Sequence, residues 1–166
     1  MNLLNESSLD DLYWSAVKAF PKTTKRQYAI DPIVIENIRW TPYVGLKTLF
    51  VRAEAKNEDR IYLPMILFKN VNYDGKDFKV KSTIGLQYQI SKLSYEETHV
   101  SLRCNCNDFR YRFSYYDHLD KSLYGRKPAK YESQGGAPAN PSNLPGMCKH
   151  LIKTSHILIE MGALDY

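Results

Sequence analysis

CNCNDFRYRF, Cys104 to Phe113, sets two cysteines one residue apart, directly ahead of alternating aromatics and arginines. The chain has only three cysteines, and the third, Cys148, stands in PGMCKHL two positions before His150. In an extended segment alternate side chains share a face, so the sulfurs of Cys104 and Cys106 can converge. Cys148 and His150 fall at the start of a closing helix, where unpaired N–H groups and the helix dipole favour a thiolate. Three sulfurs and one imidazole make a tetrahedral structural zinc site with no open position. On that reading zinc clamps the last helix to the strand ending at Cys104. The rival reading is three ordinary buried thiols with His150 on the surface.

Downstream, GMCKHLIKTSHILIEM (146–161) carries Leu151, Ile152, Leu158 and Ile159 as a helical stripe, with Gly162 placed to end the helix. Upstream, residues 28–116 read as β structure. IVIENIRW, LKTLFVRAEA, IYLPMILF, DFKVKST, LQYQI, THVSLRCNC and DFRYRFSYY are rich in β-branched and aromatic residues. Asp74-Gly75 signals a hairpin turn, and Pro64 suggests an edge position or a bulge. Before them, SLDDLYWSAVKAF (8–20) has Leu9, Leu12, Tyr13, Ala16, Val17 and Phe20 at helical spacing. Ser8 caps it with Asp11 three residues on, and Pro21 ends it. KTTKRQ (22–27) reads as an exposed basic turn.

Residues 117–145 differ, with four prolines, three glycines and little apolar periodicity. A loop this long inside a compact domain is usually functional or a linker. The expected organisation is therefore one α+β domain over 1–166. It comprises an N-terminal helix and basic turn (1–27), a mostly antiparallel β core (28–116), an extended Pro/Gly arm (117–145) and a C-terminal helix (146–166).

A chain of 166 residues that is 43% hydrophobic and 13% aromatic can build a real core. Its thirteen tyrosines suit sheets and interfaces. A net charge of +5 is compatible with an anionic partner without requiring one. No stretch approaches the roughly 18 apolar residues of a membrane span, and the acidic MNLLNESSLDDLYW lacks the features of a signal peptide. A chain folding in a reducing cytosol is expected, where clustered Cys and His read as metal ligands before disulfides.

The set Cys-x-Cys, a variable insert, then Cys-x-His resembles the SWIM-type zinc-binding pattern, with an insert longer than usual. That resemblance implies Cys104, Cys106, Cys148 and His150 as ligands. More loosely, CNCNDFRYRFSYYDH, YGRKPAKYE and NPSNLPGMCKHL together look like a pattern in small virion proteins of tailed bacteriophages. This second resemblance implies a structural part made in the host cytoplasm and built into the virion. Its partners would be other virion proteins or copies of itself, and no reaction is implied.

Three other constellations bear on function. In DFRYRFSYY, Phe109, Tyr111, Phe113 and Tyr115 alternate with Arg110 and Arg112, which are candidate nucleic-acid contacts if bases stack on the aromatic face. The preferred reading is a half-buried strand with its aromatic face in the core. Asp117-His118, Asn143 and His150 faintly resemble the order of residues in HNH nucleases, where His118 would activate water. Against this, Pro145-Gly146 interrupts the helix such a site needs, and His150 cannot easily serve two ions. No phosphate loop, nucleotide fingerprint or carboxylate pair stands out. The expected function is a zinc-stabilised assembly protein, not an enzyme. A SWIM-like nucleic-acid or protein-binding module and an HNH-like nuclease are the alternatives. Tyr124, Arg126 and Tyr131 in the arm are the expected interface residues, being types enriched at interface centres.

Overall fold

The computed structural model describes residues 6–20, 28–131 and 139–166. Pro21, the basic turn at 22–27, and Gly135, Gly136 and Pro138 of the arm lie outside these residues. The fold is α+β, with an antiparallel main sheet between an N-terminal and a C-terminal helix.

Helix α1 (Leu9–Ala19) begins at a complete capping box. The Asp11 N–H donates to Ser8 Oγ at 3.2 Å, and the Ser8 N–H donates to the Asp11 carboxylate at 3.0 Å. Leu9, Leu12 and Ala16 are fully buried, as their spacing requires.

Strands β1 (Val34–Tyr43), β2 (Thr48–Asn57), β3 (Arg60–Tyr62), β4 (Met65–Phe68), β5 (Phe78–Lys81), β6 (Gln87–Ile90), β7 (Leu93–Ser94), β8 (Val100–Arg103) and β9 (Leu164–Asp165) follow. The main sheet runs β1-β2-β4-β8, all antiparallel, with β3 continuing the β4 side of β2. Strand β2 buries Leu49, Val51, Ala53 and Ala55 on one face, the alternation of a half-buried strand. Pro64 has no N–H for the ladder and separates β3 from β4, while its carbonyl still accepts from the Ala53 N–H at 3.1 Å.

Asp74-Gly75 does not join two paired strands: β4 pairs with β2 and β8, and β5 with β6. Instead the Asp74 N–H donates to Asn72 Oδ1 at 2.9 Å, and Gly75 sits against Ser91 where any Cβ would collide with the backbone. The glycine is there for close approach: a turn forms at Tyr73–Asp74, but not the hairpin that the pair signals.

The larger correction concerns 107–116, expected as strand. The backbone leaves the sheet after Arg103, passes through Cys104–Cys106, and winds into a π-helical turn (Phe109–Phe113) continued by α2 (Ser114–Leu119). Phe109, Phe113 and Asp117, four apart, are buried, while Tyr111 is 38% exposed. A strand would have put Phe109, Tyr111 and Phe113 on one face. The aromatic residues two apart were therefore not the period that mattered. The β core ends near residue 103, and 117–119 belong to a helix rather than to the arm.

The rest of the described arm is packed on its own domain. The Leu102 N–H donates to the Ser122 carbonyl at 2.7 Å and the Tyr124 N–H to the Leu102 carbonyl at 3.0 Å, covering the outer edge of β8. The Val100 N–H donates to the Ser7 carbonyl at 2.9 Å, so both halves of that edge are closed. On the return, Asn140 Nδ2 donates to the carbonyls of Arg112 and Leu144 at 2.9 and 2.8 Å. Helix α3 (Lys149–Glu160) follows and buries Leu151, Ile152 and Leu158. Gly162, at φ +84°, ends it, with the Ala163 N–H reaching back to the Leu158 carbonyl.

Candidate metal centre

Three segments bring the four expected ligands together. Strand β8 delivers Cys104, the turn into the π-helical segment presents Cys106, and α3 begins at Cys148, its N-cap residue, with His150 in the first turn. All four side chains are buried, and their donor atoms lie within 4.8 Å of one another. His150 Nδ1 is 3.9 Å from both Cys104 Sγ and Cys148 Sγ. Donors about 2.0–2.3 Å from a common centre stand roughly 3.3–3.8 Å apart at tetrahedral angles, so the widest separations here would close by about 1–1.5 Å on coordination. The cluster can hold a metal ion, and the rival reading of three unrelated thiols with a surface His150 does not describe it.

Sulfur chemistry points the same way. Hydrogen bonds from Cys104 and then Cys148 outweigh burial and push the Cys106 thiol far down. The Phe109 N–H, donating to Cys106 Sγ at 3.3 Å, adds to this. Burial pushes Cys104 and Cys148 well up. The three thiols act on one another through their contacts, as a set gathered to share one cation would. A cation binding here would displace the remaining thiol protons, the usual linkage between metal affinity and pH.

The supporting shell was invisible in sequence. Tyr62 lies over the His150 ring at 4.3 Å between centroids. Asn105, between the two cysteines, accepts the Leu63 N–H on Oδ1 at 2.8 Å and ties the ligand loop to the β3–β4 break. Asp117, fully buried, accepts the Gly146 N–H at 2.7 Å, two residues ahead of Cys148. Gly146 is pressed against Phe113 and Ala16 with no room for a side chain. Only the glycine could have been suspected, from its place in Pro-Gly-Met-Cys. Beside the site lies a polar groove of about 1140 Å³, lined among others by Asn107, Lys149, Cys106 and His150.

The other expected residues are scattered. Arg110 and Arg112 do not share a face: Arg110 lies over the Tyr111 ring at 5.5 Å, while Arg112 lies over Phe20 at 4.8 Å and pairs with Asp108. Tyr124 packs on Phe50 at 5.0 Å, Tyr131 on Tyr111 at 4.5 Å, and the Arg126 carbonyl accepts from Arg103. These three residues make contacts within the chain, so 120–131 of the arm lie against the domain. Asp117, buried and engaged with Gly146, is not placed to share an ion with a water-activating His118.

No protein-family model, no curated protein and no solved structure matches this chain. The SWIM-type and virion resemblances therefore rest on the quoted residues alone. No helix among the described residues is long and apolar enough to cross a membrane.

Proposed function

We propose that the metal is zinc and that the chain is a zinc-stapled structural building block, part of a tailed-phage particle, working through its surfaces. The observation that carries this reading is the buried set of three sulfurs and one imidazole, which spends every cysteine on one closed site. Such a donor set suits zinc and leaves no position for a substrate, unlike catalytic sites with three protein ligands and a water. Cys104, Cys106, Cys148 and His150 Nδ1 would hold the ion, which supplies a cross-link between the end of β8 and the start of α3. A SWIM-like binding module would use the same four ligands.

The test is where the chain goes. In cells making the particle, a structural part co-sediments with finished particles in fixed stoichiometry. A chain left entirely in the soluble fraction contradicts the virion reading. Magnesium-dependent nicking of DNA that disappears in His118→Ala contradicts the structural one.

A further inference from the structure

Between Arg103 and Tyr131 the acidic residues are Asp108, Asp117 and Asp120. None is left facing solvent alone. Asp108 pairs with Arg112, Asp117 is fully buried, and Asp120 accepts from Ser7 Oγ and Ser122 Oγ. The same stretch holds Arg110, Arg126, Lys127 and Lys130, all exposed. Aromatic rings lie among them. Tyr131, returning along the arm, packs on Tyr111 of the π-helical turn at 4.5 Å, and the two rings are 44% and 38% exposed. Arg110 lies over Tyr111, and Lys130 Nζ sits 5.9 Å from the Tyr115 ring. These contacts join Arg110, Tyr111, Tyr115, Lys130 and Tyr131 in one surface, cationic and aromatic together, and Arg126 and Lys127 stand exposed just ahead of Lys130 in the chain.

We infer that this surface binds single-stranded nucleic acid, with Tyr111 and Tyr131 stacking bases and Arg110, Arg126, Lys127 and Lys130 meeting phosphates. The proposal goes beyond the structural reading above and stands or falls without it. Two features favour a single strand over a duplex. Half-exposed rings offer π-faces that only unstacked bases can use, and stacking needs no sequence readout. Of these cations only Arg110 lies on a helical run; Arg126, Lys127 and Lys130 come from the irregular arm, so the set is not displayed along one helix as insertion into a major groove would require. An acidic protein surface would satisfy the cations but leave the paired tyrosines without a matching ligand.

About four phosphate contacts imply a salt slope near −2.8 for a single strand, or about a 50-fold loss of affinity between roughly 50 and 200 mM salt. The experiment is fluorescence anisotropy with the full metal-loaded chain and labelled oligo-dT of twenty nucleotides. A duplex of the same length and polyglutamate serve as competitors. Expected are binding of oligo-dT tighter than duplex, weak competition by polyglutamate, and that salt slope. Lys127→Ala/Lys130→Ala should flatten the slope by about 1.4, and Tyr131→Ala should weaken binding about 5- to 100-fold. Metal content and melting temperature, measured on each variant, confirm that the fold is intact. No binding up to about 100 µM at low salt overturns the proposal. So does polyglutamate competing as well as oligo-dT, or Tyr131→Ala binding like the parent.

Discussion

Cys148→Ser probes the staple with almost no change in volume. Metal held by Cys106 on one side and Cys148 on the other closes a loop of roughly forty residues. In the chain-entropy treatment of cross-links, closure on that scale stabilises by about 4 kcal/mol. For a chain this long, 1 kcal/mol moves the melting temperature by about 2–4 °C, so the cross-link should appear as about 8–16 °C. The mutation also leaves a buried hydroxyl, and that cost must be separated. A four-way comparison does so: parent and Cys148→Ser, each zinc-loaded and each stripped by chelator, melted by circular dichroism. The stripped proteins should differ by only a few degrees. The loaded parent should stand at least about 8 °C further above the loaded mutant, and a chromophoric zinc assay should find the mutant depleted. Equal shifts in loaded and stripped pairs, or a mutant with full zinc and the parent's melting point, would refute the cross-link.

Asp117 supplies the pH dependence. Burial pushes its carboxyl well above the usual range, against the opposing pull of the Gly146 N–H, so the folded chain holds a proton that the unfolded chain releases. This stabilisation is full below about pH 4 and is lost as pH rises through the raised native value. Asp117→Asn keeps the oxygen that faces Gly146 and cannot ionise. Its stability relative to the parent, from urea melts, should grow from pH 4.5 to 7.5, and a flat difference contradicts the assignment. Gly146→Ala would set a Cβ 2.6 Å from Phe113 Cε1 and 2.9 Å from Ala16 Cβ, and should cost about 1–3 kcal/mol; an unchanged urea midpoint would show that the packing yields. Asn140→Ala removes both donations to the carbonyls of Arg112 and Leu144 and should cost about 1–3 kcal/mol while zinc content stays at the parent's level. If zinc is lost instead, the return of the arm is part of the metal site.

The first and last helices and most strands were legible because local chemistry and tertiary packing agree there. Ser8, Asp11 and the Leu9–Leu12–Ala16 stripe specify α1 by themselves, and the four ligands stand in two short words, of which Cys148–His150 takes the expected helix start while Cys104 and Cys106 follow the end of β8 instead of lying on a strand. Residues 107–116 were misread because Phe109-Arg-Tyr-Arg-Phe113 satisfies two periods at once. The helical period wins where Phe109, Phe113 and Asp117 are buried together and Asp117 Oδ1 accepts the Gly146 N–H, twenty-nine residues away. In the described parts of the arm the backbone is irregular, as Gly125, Pro128 and Pro141 predict, but irregular does not mean free. Ser122–Tyr124 lie on β8 because that edge needed hydrogen-bond partners, a requirement written in β8. The stacking of Tyr62 on His150 depends on the break at Pro64 and on Asn105, and so on the assembled fold.

The central claim is that Cys104, Cys106, Cys148 and His150 hold one structural zinc. Elemental analysis combined with X-ray absorption on the purified, reduced protein tests it most directly. The account predicts about one zinc per chain in a closed shell of three sulfurs and one nitrogen. A folded, monodisperse chain free of zinc, or zinc with a coordinated water in place of one of these donors, would contradict it.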